Sequence, residues 1–507
     1  MQTDDTSAAG PLRAALGDAG YTYDGVSDLL GTTAHAALLR NETTPALRRT
    51  TGDTPLETLV RLFLLQRPVD LASAERALPG LVDRLCTEGL LERSVGQVAA
   101  RLDCRPYASD DRDLWVVSDL TPGLDGGPQR VAGDHVLGIS SASTSLARLT
   151  IRAPVDDALD LGTGSGVQAL HLATHAGRVV ATDVNPRALR VARFNAALNG
   201  LDGSAVEIRE GSLFEPVAGE RFGLITTNPP FVISPGTPRE GRWATSSGTA
   251  GERLVYRDSG LPGDRVVEDI VRTAPEHLVD GGWCQVLANW VIDRDRGWDE
   301  RVAGWLAGCD AWVVQREVLD PPSYVELWLK DAGLHGAEDY LRRYDTWLAW
   351  FEEQGVEAVG FGWINLRRTD ADPTLRLEEW PWEVEQPIGP AVLAWGEGVT
   401  ALAGLAEDAD LLAARLISRS DVQQETTGAP GAEHPHTVVL RQQRGLRRAR
   451  QADTVEAALV GACDGELTIG GILDALARLL EADPGALRTT YLPLVRDLVA
   501  EGFLERA

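Results

Sequence analysis

Three stretches of this 507-residue sequence combine residue types and spacings that could do chemistry. In LDLGTGSGVQAL, Asp160 precedes Gly162, Thr163, Gly164 and Gly166. Glycines at this spacing let a chain leave a strand in a tight turn and pass close to a nucleotide-like ligand. A dinucleotide fingerprint needs its third glycine one position later, where Val167 stands. The acid ahead of the turn suits a ligand carrying an ammonium group rather than phosphates. Asp183, followed by Val184, comes 17 positions after Gly166, where a strand-end acid can accept hydrogen bonds from two ribose hydroxyls. The second stretch is Asn228-Pro229-Pro230-Phe231. A planar amine delocalises its lone pair and is a weak nucleophile. The Asn228 side-chain oxygen and the Pro229 carbonyl can accept both of its N–H bonds, draw the nitrogen toward tetrahedral geometry and stabilise the positive charge that develops on alkylation. The two prolines hold these acceptors rigid, and Phe231 offers a face for a planar group to stack on. No strong base is needed, because the proton leaves after the nitrogen has been alkylated. The third stretch is an arginine run, Arg441, Arg444, Arg447, Arg448 and Arg450, with no acid among them. It could meet RNA phosphates, or serve as a solvated face paired with the acidic residues around Trp380 and Trp382.

Alternating strands and helices must position the first two stretches. Strands are expected at 157–161, 178–183, 205–209, 222–227, 283–290, 324–329 and 358–366. Helices are expected at 166–176, 186–199, 265–278, 298–306 and 339–354. This pattern predicts an α/β fold with a doubly wound, mostly parallel, Rossmann-like sheet. Both chemical stretches then fall at carboxyl ends of strands, where such sheets bind ligands. The ends of the chain read as helical. LVDRLCTEGLLER (81–93) and LVRDLVAEGFLER (494–506) match at eight of thirteen positions. A helix, a glycine turn and an apolar strand start is how a winged helix closes, so a winged-helix-like module is expected at each end. The expected domains are 1–110 (helical, winged-helix-like), 111–368 (α/β), 369–450 (an irregular α+β extension) and 451–507 (helical, winged-helix-like).

Asp160 through Gly166, followed by Asp183, resembles the S-adenosylmethionine (SAM) site of class I methyltransferases. The resemblance implies SAM as cofactor, with Asp160, Gly162, Thr163, Gly164, Gly166, Asp183, Val184 and Asn228 around it. Where the family usually places an Asp for the adenine amine, this chain has Ser212, so Ser212 or the backbone near Leu213 takes that place. The Asn-Pro-Pro-Phe tetrapeptide after the fourth strand resembles the N-methyltransferases that modify adenine N6, guanine N2 in ribosomal RNA, or glutamine N5 in release factors (the HemK type). Asn228, Pro229, Pro230 and Phe231 are then the catalytic residues. HVLGISSASTSLARL (135–149) resembles the segment that covers the pocket, with Ser140 to Ser145 near the SAM. WCQVLANW (283–290) is similar to the guanine-N2 group. SGLPGDRVVEDIV (259–271) is similar to the glutamine group, although the order Pro262-Gly263-Asp264-Arg265 departs from its motif.

Composition bounds the rest. There are 48 basic against 75 acidic side chains, a net charge of -27, and Lys330 is the sole lysine. This excludes a P-loop lysine and argues against Schiff-base chemistry. Five scattered cysteines give no disulfide framework and no cysteine zinc site. His434 and His436 have no third ligand nearby, so no metal is expected. The acidic start MQTDDTSAAG has no signal-peptide core, and no apolar run is long enough to cross a membrane, so a cytoplasmic protein is expected. Nothing in the sequence points to a particular oligomeric state. The acceptor expected first is an RNA base (rRNA or tRNA). A glutamine of a ribosome-associated protein is the alternative, favoured by the net charge. A non-catalytic SAM-binding or nucleic-acid-binding regulator is the reading from another class.

Overall fold

Local capping and glycine signals set the N-terminal elements. Thr54 caps the helix Pro55–Leu59 through a capping box with Glu57. The helix Val82–Glu88 stops at Gly89, whose φ of 81° is the left-handed turn that glycine adopts freely. The computed structural model describes residues 5–109, 112–127, 131–235, 254–429 and 436–507. Strands β1 (Val69–Asp70), β2 (Leu91–Ser94) and β3 (Gln97–Ala100) form a small sheet in the order β1-β3-β2. Strands β4 (Leu102–Ser109) and β5 (Arg112–Asp119) form an antiparallel pair.

The central sheet has eight strands: β6 (Val155–Leu161), β7 (Ala176–Asp183), β8 (Val206–Glu210), β9 (Phe222–Thr227), β10 (Leu278–Asp293), β11 (Cys309–Leu319), β12 (Val356–Arg368) and β13 (Leu375–Glu379). Their order is β13-β11-β12-β10-β9-β6-β7-β8. Neighbours from β8 to β10 run parallel, whereas β12 is antiparallel to both β10 and β11. The α/β reading therefore holds, with an antiparallel strand inserted near one edge. The order reverses between β6 and β9, which opens a crevice at their carboxyl ends.

One expected strand is a helix. Residues 324–329 lie within the helix Pro321–Asp331, and the strand is β11, further upstream. Asp320 caps that helix by accepting the Ser323 N–H at 2.8 Å, and two prolines open its first turn. Tyr324, Val325 and Leu329 then share its buried face. The Asp-Pro-Pro-Ser start signal outweighs the β-forming side chains after it. The sheet also runs past residue 368, through β13.

Residues 1–147 and 153–378 make one unit, and residues 148–152 and 379–507 a second. In the first, the N-terminal helices and the hairpin share one core with Val191, Phe194 and Leu198 of the helix Pro186–Leu198. In the second, strands β14 (Leu416–Ser418), β15 (Val422–Thr427), β16 (Thr437–Gln442), β17 (Ala449–Ala452) and β18 (Leu504–Arg506) accompany helices that include Pro484–Ala500. The final helix leads to Gly502 at φ 76° and then β18, the same helix–glycine–strand closure as at residues 82–94. Strand β18 pairs with β14, and Ile417 of β14 also bridges Asp464.

The hairpin strand β5 is held to the domain by two amides. Asn195 accepts the Val117 N–H at 2.8 Å and donates to the carbonyls of Val117 (2.8 Å) and Ser165 (2.7 Å). Asn199 makes the same reciprocal pair with the Trp115 backbone. These side chains replace a missing ladder partner, as buried backbone groups require. Asn195→Leu is expected to lower the unfolding free energy by about 2–4 kcal/mol, because buried donors and acceptors lose their partners. A urea titration checks this as a lower midpoint at unchanged slope.

Candidate active site

The glycine turn is built as its spacing requires. Gly162, Gly164 and Gly166 have φ of 78°, 55° and 86° as the chain passes from β6 into the helix Val167–Leu172. Asp160, at the end of β6, is 1% exposed. Its Oδ2 accepts the Thr163 hydroxyl at 2.5 Å and the Ala169 N–H at 3.0 Å. Burial still pushes its carboxyl up to about 7, with the nearby Asp183 adding to the rise. Asp183 ends β7 and accepts the Gly164 N–H at 2.9 Å and the Asn185 N–H at 2.8 Å. Its pKa is raised as well, because burial outweighs these backbone bonds. Two desolvated carboxylates therefore face one cleft, tied together through the glycine turn.

A strap over the cleft runs from His135 to Ser143. Asp119, at the end of β5, anchors it by accepting the Val136 N–H at 2.8 Å, and its other bonds are to Arg187 and His135. Asn185 donates to the Asp134 carbonyl, and Gln168 to the Ser143 carbonyl at 2.6 Å. Burial lowers the His135 pKa, against the opposing pull of Asp119. On the far wall lie Val184, Gly211, Ser212 and Leu213. Val184 is 48% exposed, an apolar side chain left uncovered in the cleft. Leu213 sits at φ 48°, a left-handed backbone that turns the chain sharply after β8.

Asn228 comes directly after the end of β9 and lines the same cleft together with Pro230. Its Oδ1 is buried and has no hydrogen-bond partner among the described residues. Pro229 and Phe231 are not among the lining residues. Phe231 presents its ring to Trp328, with centroids 6.3 Å apart and planes at 71°. Residues 255–266 close the third side with Val255, Tyr256, Ser259, Leu261 and Val266. No arginine or lysine lines the cleft among the described residues. An anionic, acceptor-rich cleft of this kind favours a cationic ligand and disfavours phosphates.

The arginine run is in the second unit and is partly engaged. Arg441 pairs with Glu425 at 2.7 Å, and Arg450 pairs with Glu456 (2.6 Å) and Glu501 (3.4 Å). Arg448 lies over the Trp380 ring at 4.7 Å. Arg444 and Arg447 are exposed. His434 lies outside the described residues. Among those described, no group of three His, Cys, Asp or Glu side chains could hold a metal ion. No helix among them is long and apolar enough to cross a membrane.

Residues 139–240, which contain the glycine turn, Asp183 and the tetrapeptide at Asn228, match the family model "Methyltransferase small domain". This segment is a methyltransferase small domain. Its fold is that of the class I, SAM-dependent enzymes. Residues 18–101 and 394–506 match two families described as domains of unknown function, DUF7059 and DUF7782. A ribosomal protein uL3 glutamine methyltransferase of Bradyrhizobium diazoefficiens is 41% identical over 131 residues, 25% of this chain and 39% of that protein. A release factor glutamine methyltransferase of Xylella fastidiosa is 35% identical over 147 residues, 28% of this chain and 48% of that protein. The chain thus spans less than half the length of these two relatives. Among solved structures, the YcgJ protein of Bacillus subtilis aligns over 99% of its length and 46% of this chain, at 14% identity and a TM-score of 0.29.

The methyltransferase small domain supplies the cleft's floor, but not all of its walls. Tyr256, Ser259, Leu261 and Val266 come from beyond residue 240; the last three fall in the stretch 259–271 that resembles the glutamine group, and no motif marks Tyr256. Gln168 and Asn185 lie inside the motifs' own loops and were legible as neighbours of Gly166 and Asp183. The raised Asp160 has a direct consequence for stability. An acid whose pKa is higher folded than unfolded favours folding fully below its unfolded value near 3.8 and loses that contribution as pH rises through about 7. Asp160→Asn removes this loss. Between pH 4 and pH 8 the mutant's stability relative to wild type should rise, by on the order of 2–4 kcal/mol. Chemical denaturation at a series of pH values measures the difference, and parallel pH curves for the two proteins would contradict it.

Proposed function

We propose that this chain transfers a methyl group to the side-chain amide nitrogen of a glutamine in a ribosome-associated protein. The observation that carries the reading is the buried, unpartnered Oδ1 of Asn228 at the end of β9, in a cleft that also holds Asp160 and Asp183. A desolvated acceptor without a donor is costly unless a ligand supplies one. An amide N–H is such a donor.

The residues fit SAM. Asp183 keeps acceptor capacity for ribose hydroxyls beyond its two backbone bonds. Val184 and Leu213 would offer apolar surface to an adenine, and Ser212 would meet its amine. Asp160, with the Gly162–Gly166 turn, would hold the amino-acid end, and the strap at Ser140 and Ser143 would cover the group. When bound, SAM supplies an electrophilic methyl on a sulfonium. Asn228 Oδ1 and the Pro229 carbonyl would accept the target's N–H bonds and stabilise the charge that grows on that nitrogen as it takes the methyl. The proton then leaves to solvent. Pro229 and Pro230 keep the acceptors in place, so orientation supplies much of the rate. Phe231, braced by Trp328, forms the aromatic edge of the target's entry.

Glutamine is preferred as target because both relatives named above are glutamine methyltransferases. The cleft's lack of cations and the net charge of -27 also suit a protein or a basic partner better than a polyanion. A second reading, an RNA base, is favoured by the exposed Arg444 and Arg447 and by Trp382, whose side chain is 62% exposed. The terminal segments fit winged-helix-like recognition modules. In the first, β3 lies between β1 and β2; in the last, β14 lies between Asp464 and β18, so an upstream strand takes the wing's place.

Tritiated SAM offered with total cell protein and total cell RNA in separate reactions tests the target. Label in protein, recovered as N5-methylglutamine, supports the proposal, and label confined to RNA overturns it in favour of the second reading. Asn228→Ala should lower kcat by about 10²–10³-fold while SAM affinity stays within about 3-fold, since its oxygen acts where charge develops. Asp183→Ala should do the reverse and weaken SAM binding by about 10-fold or more, because charge-assisted bonds are lost and the glycine turn is released. Calorimetry and single-turnover methyl transfer on the two mutants separate these roles. Near-full turnover by Asn228→Ala would remove the tetrapeptide from the mechanism.

A further inference from the structure

The backbone of Ile233, five residues beyond Asn228, is held on both sides of its Cα by side chains of one helical pair. Its N–H donates to the Tyr324 hydroxyl at 2.8 Å, and its carbonyl accepts from the Trp347 indole N–H at 3.0 Å. Tyr324 belongs to the helix Pro321–Asp331 and Trp347 to the helix Tyr340–Glu353, both between β11 and β12. Ile233 and Tyr324 are fully buried, and Trp347 is 8% exposed. The Tyr324 hydroxyl also accepts the Asn289 amide at 3.2 Å, from β10, the strand next to β9. Val232 and Ile233 belong to the same apolar core as Tyr324, Trp347 and Phe351.

The chain has left the sheet at Pro229-Pro230, so residues 231–235 have no ladder partner within it. A buried irregular segment must find its hydrogen bonds elsewhere. Here one side is met by the Arg257 carbonyl, which accepts the Val232 N–H at 3.0 Å, and the other by Tyr324 and Trp347. Two bonds of opposite sense, one on each of the peptide units that flank the Ile233 Cα, fix where that residue sits. The prolines then transmit that placement to Asn228 with few free torsions.

We propose, resting on the methyl-transfer reading above, that Tyr324 and Trp347 are positioning residues: through the backbone N–H and carbonyl of Ile233 they fix the loop that aims Asn228 at the target nitrogen. The pair of helices is thereby part of the machinery for transfer, although it lies outside the matched methyltransferase segment and touches neither SAM nor the reacting atoms. Misplacing a reacting group by about 1 Å can cost on the order of 10²-fold in rate.

Tyr324→Phe removes one hydroxyl and keeps the ring, and Trp347→Phe removes the indole donor. Tyr344→Phe, on the same pair of helices, removes a hydroxyl bonded to Glu326 at the surface and serves as control. Each variant is assayed as the full chain with tritiated SAM and whichever total-cell fraction the wild type labels. SAM affinity is measured by calorimetry, and hydrogen exchange is monitored on the peptide spanning residues 229–235. Tyr324→Phe and Trp347→Phe should each lose about 10-fold in kcat, with SAM affinity within about 2-fold of wild type and faster exchange in that peptide. Tyr344→Phe should match wild type in all three. Unchanged kcat in Tyr324→Phe and Trp347→Phe overturns the proposal, as does a kcat loss accompanied by an equal loss of SAM affinity. If the wild type binds SAM yet labels neither fraction, the methyl-transfer reading falls. Exchange alone then decides whether the two side chains hold the loop, and unchanged protection in both variants overturns that too.

Discussion

A hydrogen-bond acceptor that the protein buries and does not satisfy sets the demands on the rest of the structure. Oδ1 of Asn228 is desolvated at the end of β9. In an ordinary core such an atom would find a donor among its neighbours, because leaving it bare costs about 1–3 kcal/mol. Keeping it bare requires that the loop carrying it cannot collapse onto a nearby N–H. Pro229 and Pro230 contribute by having no N–H to offer. Val232 and Ile233, packed beneath the helices Pro321–Asp331 and Tyr340–Glu353, contribute by pinning the chain just beyond the prolines. The unmet bond is kept where a substrate amide would satisfy it.

The electrostatics of the cleft obey the same logic of an incomplete site. Asp183 opposes the ionisation of Asp160, and both are raised chiefly by burial. No lysine or arginine among the described residues lines the cleft to neutralise them. Elsewhere the chain pairs its acids freely. Arg187 satisfies Asp119, and Arg301 satisfies Asp264, the buried residue before the helix Arg265–Thr273. In the cleft, a cationic ligand would complete the charge balance.

The N-terminal segment and the methyltransferase domain are joined by more than chain continuity. The helix Pro186–Leu198 gives one face to the glycine turn, through Asn195 and the Ser165 carbonyl, and another to the N-terminal core, through Val191, Phe194 and Leu198. Asp119 ends the hairpin strand β5 and anchors the strap over the cleft.

The sequence by itself determined the motif floor of the site. Gly162, Gly164 and Gly166 were legible because left-handed backbone at a strand-to-helix turn admits little else, and Asn228-Pro229-Pro230 because two prolines force the chain out of the sheet. Alternating apolar runs with helical segments gave the α/β class. The matching ends, LVDRLCTEGLLER and LVRDLVAEGFLER, gave their shared helix–glycine–strand closure. Tertiary structure alone decided the rest. Residues 324–329 carry strand-forming side chains, yet they are helical because Asp320 caps them and their apolar face has the acceptor loop to cover. Tyr256, Tyr324 and Trp347 reach the site or its support from far along the chain, so no local spacing could announce them. For Arg441 and Arg450 the sequence offered RNA phosphates or the acids around Trp380 as partners, but the acids they meet, Glu425, Glu456 and Glu501, lie on other elements. Periodicity and backbone sterics are local and visible in a string of residues. Pairing, burial and the satisfaction of polar groups depend on which distant segments meet, and only the folded chain fixes that.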